Sequence, residues 1–392
     1  MFGFLSSPRH ANTRSLVAAI LSIASVGFGF GLLMTLVSLR LEEMTGSALM
    51  TGINGAAAAL STLAATPVLP FLLRRIDGRR LMMGSFLFVA LTIMLMPLLE
   101  NAWIWIALRF IGGMPLTFVF VVSESWINQI APRANRATIL GIYAATLSAG
   151  FGAGAALLSL IGTEGATPFF AGAVIVAASI IPLLLLRGPG VEPPRKGEAD
   201  ISAQFRAMRG APTAMMAAIA FGALESALYQ LGPVYGVRIG LTPETAALLV
   251  SAGAIGGIAL QVPLGWLADR FGRTRMLMLI AASGVIGPLF LHLTTGFTPG
   301  LFIVLFFYAG LIAGLYTVGL ALIGERFEGG GLVAANAAFV FGYGLGSLVG
   351  TPLAGQSMDM FNPWGFLPAM AALAALPLIV RAIRSKGAQR AS

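Results

Sequence analysis

The sequence predicts an all-α membrane protein with twelve transmembrane helices in two pseudo-symmetric six-helix halves. Three observations predict it. Of the 392 residues, 57% are apolar and only 10% charged, where a soluble domain carries about 25% charged residues. Apolar runs long enough to cross a bilayer recur twelve times. One long polar interval near the midpoint divides them six from six, and a basic loop in the first half is echoed in the second.

A hydrocarbon core about 30 Å thick takes roughly 20 residues of helix, which places spans at roughly 15–39, 47–73, 81–99, 102–123, 138–161, 167–186, 213–237, 245–267, 276–293, 300–323, 332–354 and 364–383. The first follows Arg14 and has an apolar stretch of about 25 residues, longer than the 7–15 of a secretory leader, so it reads as an uncleaved helix. The others are continuous apolar runs, unlike the period-two alternation of a membrane strand. Twenty-one of the 24 Lys and Arg fall on one side when both termini are placed in the cytoplasm. They sit at Arg9 and Arg14, Arg74 to Arg80, Arg133 and Arg136, in the central interval, at Arg270 to Arg275, at Arg326 and at the C-terminus. Only Arg40 and Arg238 lie outside, and Arg109 lies within the fourth span. Cytoplasmic loops carry such an excess, so the expected location is the bacterial inner membrane with both termini inside.

The polar interval holds Pro189, Pro193, Pro194, Arg195, Lys196, Glu198 and Asp200 and reads as a solvated linker. The expected division is a bundle at 1–187, a linker at 188–212 and a bundle at 213–392. After the eighth span the chain reads Gly265-Trp-Leu-Ala-Asp269-Arg-Phe-Gly272-Arg273-Thr-Arg275. After the second it reads Pro70-Phe-Leu-Leu-Arg74-Arg-Ile-Asp77-Gly78-Arg79-Arg80, and Glu124 is echoed by Glu325. Duplicated six-span halves are the plan of a rocking transporter.

Gly265 to Arg275 resembles motif A of the major facilitator superfamily, in its expected loop. Arg109-Phe-Ile-Gly112-Gly113 resembles that superfamily's motif B, and the resemblance extends over essentially the whole chain. Ser123-Glu124-Ser125, Arg136 and Gly141-Ile-Tyr143 resemble a poorly assigned bacterial subgroup. The first-half loop departs from motif A, with Pro70 for its Gly and Arg74 for its Asp. The resemblance implies a cytoplasmic gate of Gly265, Asp269, Gly272, Arg273 and Glu325, in which Asp269 braces a helix N-terminus and Arg273 pairs with Glu325. Glu124 would take the corresponding part with Arg79 or Arg80. It also implies that the glycine-rich second, fifth, eighth and eleventh spans form the interface between halves.

Glu225 is the carboxylate nearest the middle of a span. A charge there costs about 2.5–3.5 kcal/mol on insertion scales, so it marks a cavity by default. It reads as a proton site or substrate ligand, or else as a neutral carboxyl hydrogen-bonded within the bundle. Arg109 either snorkels outward or, as the resemblance implies, faces inward to answer the coupling carboxylate or an anionic substrate. Tyr229 and Gln230 share the helix of Glu225, where Gly232-Pro233 is expected to kink it. Asn54, Tyr143, Gln261, Asn336 and Tyr343 are further cavity candidates, each also explicable as an interhelical hydrogen bond.

Cysteine is absent, which excludes disulfides, thiolate metal sites and Cys nucleophiles. His10 and His292 are far apart in sequence and do not suggest a zinc motif, and no phosphate-binding loop occurs. No metal, cofactor or enzymatic activity is implied. The net charge of +9 is spread over short loops rather than one face, which argues against nucleic acid. The sequence therefore points to a monomeric secondary transporter with a small organic solute as substrate, protons as coupling ion and the bilayer as surroundings. The alternative is a translocator or efflux pump for amphiphilic or lipid-like molecules on the same fold. A membrane enzyme or receptor is the third class, with no nucleophile–base pair inside a span to support it.

Overall fold

A computed structural model describes residues 8–130, 136–184, 208–327 and 329–391. Its helices are α1 (Pro8–Thr45), α2 (Ala48–Leu73), α3 (Gly78–Leu95), α4 (Ala102–Ile130), α5 (Arg136–Ile161) and α6 (Thr167–Ala178). They continue as α7 (Pro212–Arg238), α8 (Pro243–Phe271), α9 (Arg273–Leu293), α10 (Thr298–Gly324), α11 (Gly329–Met360) and α12 (Phe366–Ala391). Among the described residues, twelve helices are long and apolar enough to cross a membrane. In hydrocarbon every backbone N–H and C=O must be satisfied internally, which leaves the helix as the form these runs can take. Most of the expected 188–212 linker lies outside the described residues, as do the loop after α4 and the side chains of Arg136 and Gly141.

The boundaries have local causes. Asp77 caps α3 by accepting from the backbone N–H groups of Arg79 and Arg80 at 3.0 and 3.2 Å, and Thr242 caps α8 through Thr245 N–H. The sixth span is interrupted at Ser179 before a further turn at Ile180–Leu184. Pro182 explains the break, because it has no N–H to offer the carbonyl of Ala178. The kink expected at Gly232-Pro233 does not interrupt α7, which is helical throughout Pro212–Arg238. Between α8 and α9 the connection shrinks to Gly272 alone, at φ +92°, a conformation glycine adopts without strain.

The chain forms two compact units, 1–36 with 60–195 and 37–59 with 196–392. The second thus takes in the end of α1 and the start of α2 along with α7 to α12.

In the first unit α1 and α5 pack backbone to backbone. A Cβ at Gly27 or Gly31 would strike the carbonyl of Leu147 or Phe151, and one at Gly150 or Gly154 would strike that of Ala24 or Phe28. In the second unit α7 and α11 do the same, through Gly222 on Tyr343, Gly346 on Ile219 and Gly350 on Ala223. These are corresponding pairs of the two repeats. Small residues permit such approach where dispersion, not water, drives helix association. Among the glycines expected at an interface between halves, Gly150 and Gly154 of α5 and Gly346 and Gly350 of α11 make these contacts, Gly52 of α2 meets Thr351 of α11, and in α8 Gly253 faces Tyr229 while Gly256 abuts Phe306.

Candidate functional site

Glu225 is the fourteenth of the 27 residues of α7, about 20 Å along it at 1.5 Å per residue. Its Oε2 accepts a 2.8 Å hydrogen bond from the Tyr343 hydroxyl of α11. Among the described residues no cation pairs with it. The contact exists because the glycines of α7 and α11 bring the two backbones together one turn away on each side. Next to it, Ser226 donates to Ser347 at 2.8 Å, and Ser347 donates to the Gly222 carbonyl at 2.9 Å. Phe221 and Tyr316 lie against this centre, with the Phe221 ring 5.7 Å from Tyr343 and 5.4 Å from Tyr316. A carboxyl held by one hydroxyl, among hydroxyls and rings, can take up and release a proton without breaking an ion pair.

The other candidates divide around this centre. Tyr229 packs its ring on Gly253 of α8. Gln230 is buried with its amide against Gly55 of α2, leaving no room there for a side chain. Asn54, 3% exposed, has an Nδ2 without a hydrogen-bond partner. Asn336 is half-buried on α11, while Gln261 is exposed on α8. Tyr143 belongs to the first unit, where its hydroxyl shares a 3.0 Å hydrogen bond with Ser123. That contact ties together the two short strings of the subgroup resemblance, across α4 and α5.

Arg109 is also in the first unit, on α4. Its guanidinium lies 5.1 Å from the centroid of the Phe30 ring, and its buried Nε has no hydrogen-bond partner. Such a placement gives a cation–π contact, and among the described residues no carboxylate pairs with it. Arg109 and Glu225 therefore fall in separate units.

At the end of α8, Arg273 bridges two acids. Its Nη2 lies 3.0 Å from Asp269 and its Nη1 3.3 Å from Glu325, while Nη1 also donates to the Ala321 carbonyl at 2.9 Å. Gly272 places Arg273 at the first position of α9, from which it spans α8 and α10. Gly265 stands in open space one turn before Asp269. In the first unit the counterpart differs: Arg74 donates to the Pro70 carbonyl at 3.2 Å and Arg79 to Leu184 at 3.0 Å. Glu124 is exposed at the end of α4.

Ser226 and Ser347 do not stand out in the sequence, since small hydroxyls are common in spans. Their signal is spacing, one residue from Glu225 and one turn from Tyr343. Glu42 and Asp359, both bonded to Arg238, are equally inconspicuous. Their signal is the scarcity of arginines in the loops on the side of Arg40 and Arg238.

Twelve apolar helices in repeated halves, with one carboxyl at mid-helix, define a multi-pass membrane protein of the solute-transporter type. The profile of the Major Facilitator Superfamily matches residues 19–298 and 239–391. The chain belongs to that superfamily. It is similar to the uncharacterized MFS-type transporter YfkF of Bacillus subtilis (strain 168), at 27% identity over 349 residues, covering 88% of each chain. It is also similar to the uncharacterized MFS-type transporter YcaD of Escherichia coli (strain SE11), at 29% identity over 357 residues, covering 89% of this chain and 90% of that one. Among solved structures, the nucleoside transporter NupG aligns with a TM-score of 0.76 at 13% identity, over 94% of this chain and 96% of that one. A bacterial homologue of the human lysosomal transporter Spinster, in an inward-facing and occupied conformation, aligns with a TM-score of 0.70 at 15% identity, over 98% of both. These two likenesses establish the shared fold.

Proposed function

We propose that the protein is a proton-coupled secondary transporter that moves a small organic solute across the bacterial inner membrane by alternating access. The observation that carries this reading is the Glu225–Tyr343 pair: a mid-span carboxyl with a hydroxyl partner and, among the described residues, no cation. A permanently charged carboxylate at that depth costs several kcal/mol. A carboxyl that exchanges its proton with the access state avoids that cost in one state and uses it as the coupling signal in the other. Asp269, Arg273 and Glu325 serve as the cytoplasmic gate, since one arginine holds three helices by contacts that a small shift breaks. Arg109 supplies a positive charge within the fourth span, available to an anionic group of the solute.

The relatives named as transporters support the class of activity. The fold shared with NupG, a nucleoside transporter, puts small polar solutes among the first compounds to try. A thermal-shift screen of purified protein against nucleosides, sugars, organic acids and amphiphiles identifies the solute class. Accumulation of the hit in proteoliposomes then tests coupling. The proposal expects accumulation that collapses when a protonophore removes the pH gradient. Accumulation indifferent to the gradient overturns it, and stabilisation by amphiphiles alone favours the translocator reading.

A further inference from the structure

Among the described residues, a second charged cluster lies in the second unit, at the opposite end of α7 from its cytoplasmic start. Arg238, the last residue of α7, is held by four residues. Its Nε and Nη2 donate to the two carboxylate oxygens of Glu42, at 2.7 and 3.0 Å. Nη2 donates to Asp359 Oδ1 at 2.8 Å and to the Gly46 carbonyl at 3.1 Å, and Nη1 donates to Asn362 at 3.2 Å. Asp359 in turn caps α2: it accepts from the backbone N–H of Ala48 at 2.8 Å, from that of Leu49 at 2.9 Å and from the Ser47 hydroxyl at 2.7 Å. The side chains of Arg238, Glu42 and Asp359 are 8%, 14% and 23% exposed.

The cluster joins the end of α1, the start of α2, the end of α7 and the end of α11. Its hydrogen bonds join residues as far as 312 positions apart, so the contact is tertiary and not a local loop feature. Two properties set it apart from an ordinary surface ion pair. The Arg238–Glu42 contact is a two-pronged fork, among the stronger charge-assisted arrangements. Asp359 also sits at a helix N-terminus, where the dipole favours an anion. Because water reaches the cluster's edge, the charges can be rehydrated when it parts, so it holds without being permanent. Beneath it, Gly355 lies on the Ala48 carbonyl and Gly52 on Thr351, so the same helices are in backbone contact. This explains why residues 37–59 are grouped with the second unit.

We propose that Arg238, Glu42 and Asp359 form an ionic latch that holds the outer ends of α1 and α2 on α7 and α11, and that must open before solute reaches the protein from outside. This rests on the alternating-access reading and adds the residues that control its outer step. They are positioning residues, acting through the helices they hold. In a protein whose intact motif A lies on the inner side, the latch gives the outer side a gate of different construction.

The chain has no cysteine, so a single reporter can be introduced without background. Thr351 is fully buried on α11 and lies eight residues before Asp359, about 12 Å down the helix. In Thr351→Cys protein in oriented membranes, labelling by a membrane-impermeant maleimide from outside reads opening with no substrate present. Arg238→Ala and Glu42→Gln are each expected to raise the outside labelling rate at least fivefold, with the double variant no faster than Arg238→Ala. Labelling from the inside should not rise. If Arg238→Ala does not fold, Glu42→Gln carries the test alone. Unchanged outside labelling overturns the latch, and so does an equal rise from both faces, which marks the cluster as a structural staple. Since the readout needs neither solute nor protons, failure of the latch is distinguishable from failure of proton coupling.

Discussion

Glu225 and Tyr343 are 118 positions apart in sequence, and a single hydrogen bond joins them across α7 and α11. Removing the Tyr343 hydroxyl while keeping the ring tests what the bond contributes. A hydrogen bond to a charged group is worth about 1.5–3 kcal/mol. Tyr343→Phe should therefore lower gradient-driven transport about tenfold or more, with the protein still folded and monodisperse. A transport assay beside gel filtration checks both parts. Glu225 itself is legible in sequence because lipid makes a mid-span carboxylate conspicuous. Tyr343 is legible only as one candidate among several, since nothing in a linear sequence tells which tyrosine rotates toward α7. Asn54 and Gln230 stand out for polarity, yet what the structure adds is a backbone fact, the missing side chain at Gly55 that lets the Gln230 amide lie there. Tyr143 stands out on the same grounds and instead bonds Ser123 in the other unit.

Helix pairs are held by the absence of side chains at a few positions. At Gly346 an added Cβ meets the Ile219 carbonyl and lies 3.0 Å from the Ala223 nitrogen, so backbone must move. Gly84 on α3 faces open space. Gly346→Ala should destabilise the protein by about 1–3 kcal/mol, as overpacking does, while Gly84→Ala should be neutral or gain about 0.4–1 kcal/mol. Melting curves of the two variants in detergent check the contrast. The glycine spacing of α11 is visible in sequence, but its partner is not, because close approach fixes a distance and leaves open which helix supplies it. The two basic loops after α2 and α8 allow a second comparison. Arg273 bridges Asp269 and Glu325, whereas Arg74 reaches only its own helix at the Pro70 carbonyl. Asp269→Asn or Arg273→Ala should impair transport more than Arg74→Ala. Equal loss in all three would mean that the loops act through bulk positive charge.

Across the whole molecule, the twelve spans are readable because hydrocarbon permits few solutions, and the run lengths match one of them. Their ends are readable where a cap or proline acts locally, as at Asp77 and Thr242, and less so at Ser179, where one missing donor at Pro182 breaks the helix. The grouping of 37–59 with the second unit is hidden, because it depends on Gly52 and Gly355 bringing α2 and α11 together across distant stretches of chain. From the lysine and arginine asymmetry both termini are expected in the cytoplasm. A phosphatase reporter fused after Ser392 should stay inactive, and activity in the periplasm would reverse the assigned orientation. The proposed gates and the proposed direction of coupling depend on that orientation.

Proton coupling through Glu225 is tested most directly by proteoliposomes holding the wild-type protein or Glu225→Gln, loaded with a pH-sensitive dye. Glutamine keeps the volume and can still meet the Tyr343 hydroxyl, but it cannot titrate. With the solute found by thermal shift, the wild type should move protons on solute addition and accumulate solute against its gradient. Glu225→Gln should fold, still exchange solute between equal pools, and show neither proton movement nor accumulation. If Glu225→Gln accumulates solute under a pH gradient at the wild-type level, Glu225 is a structural carboxyl and the account of coupling is wrong.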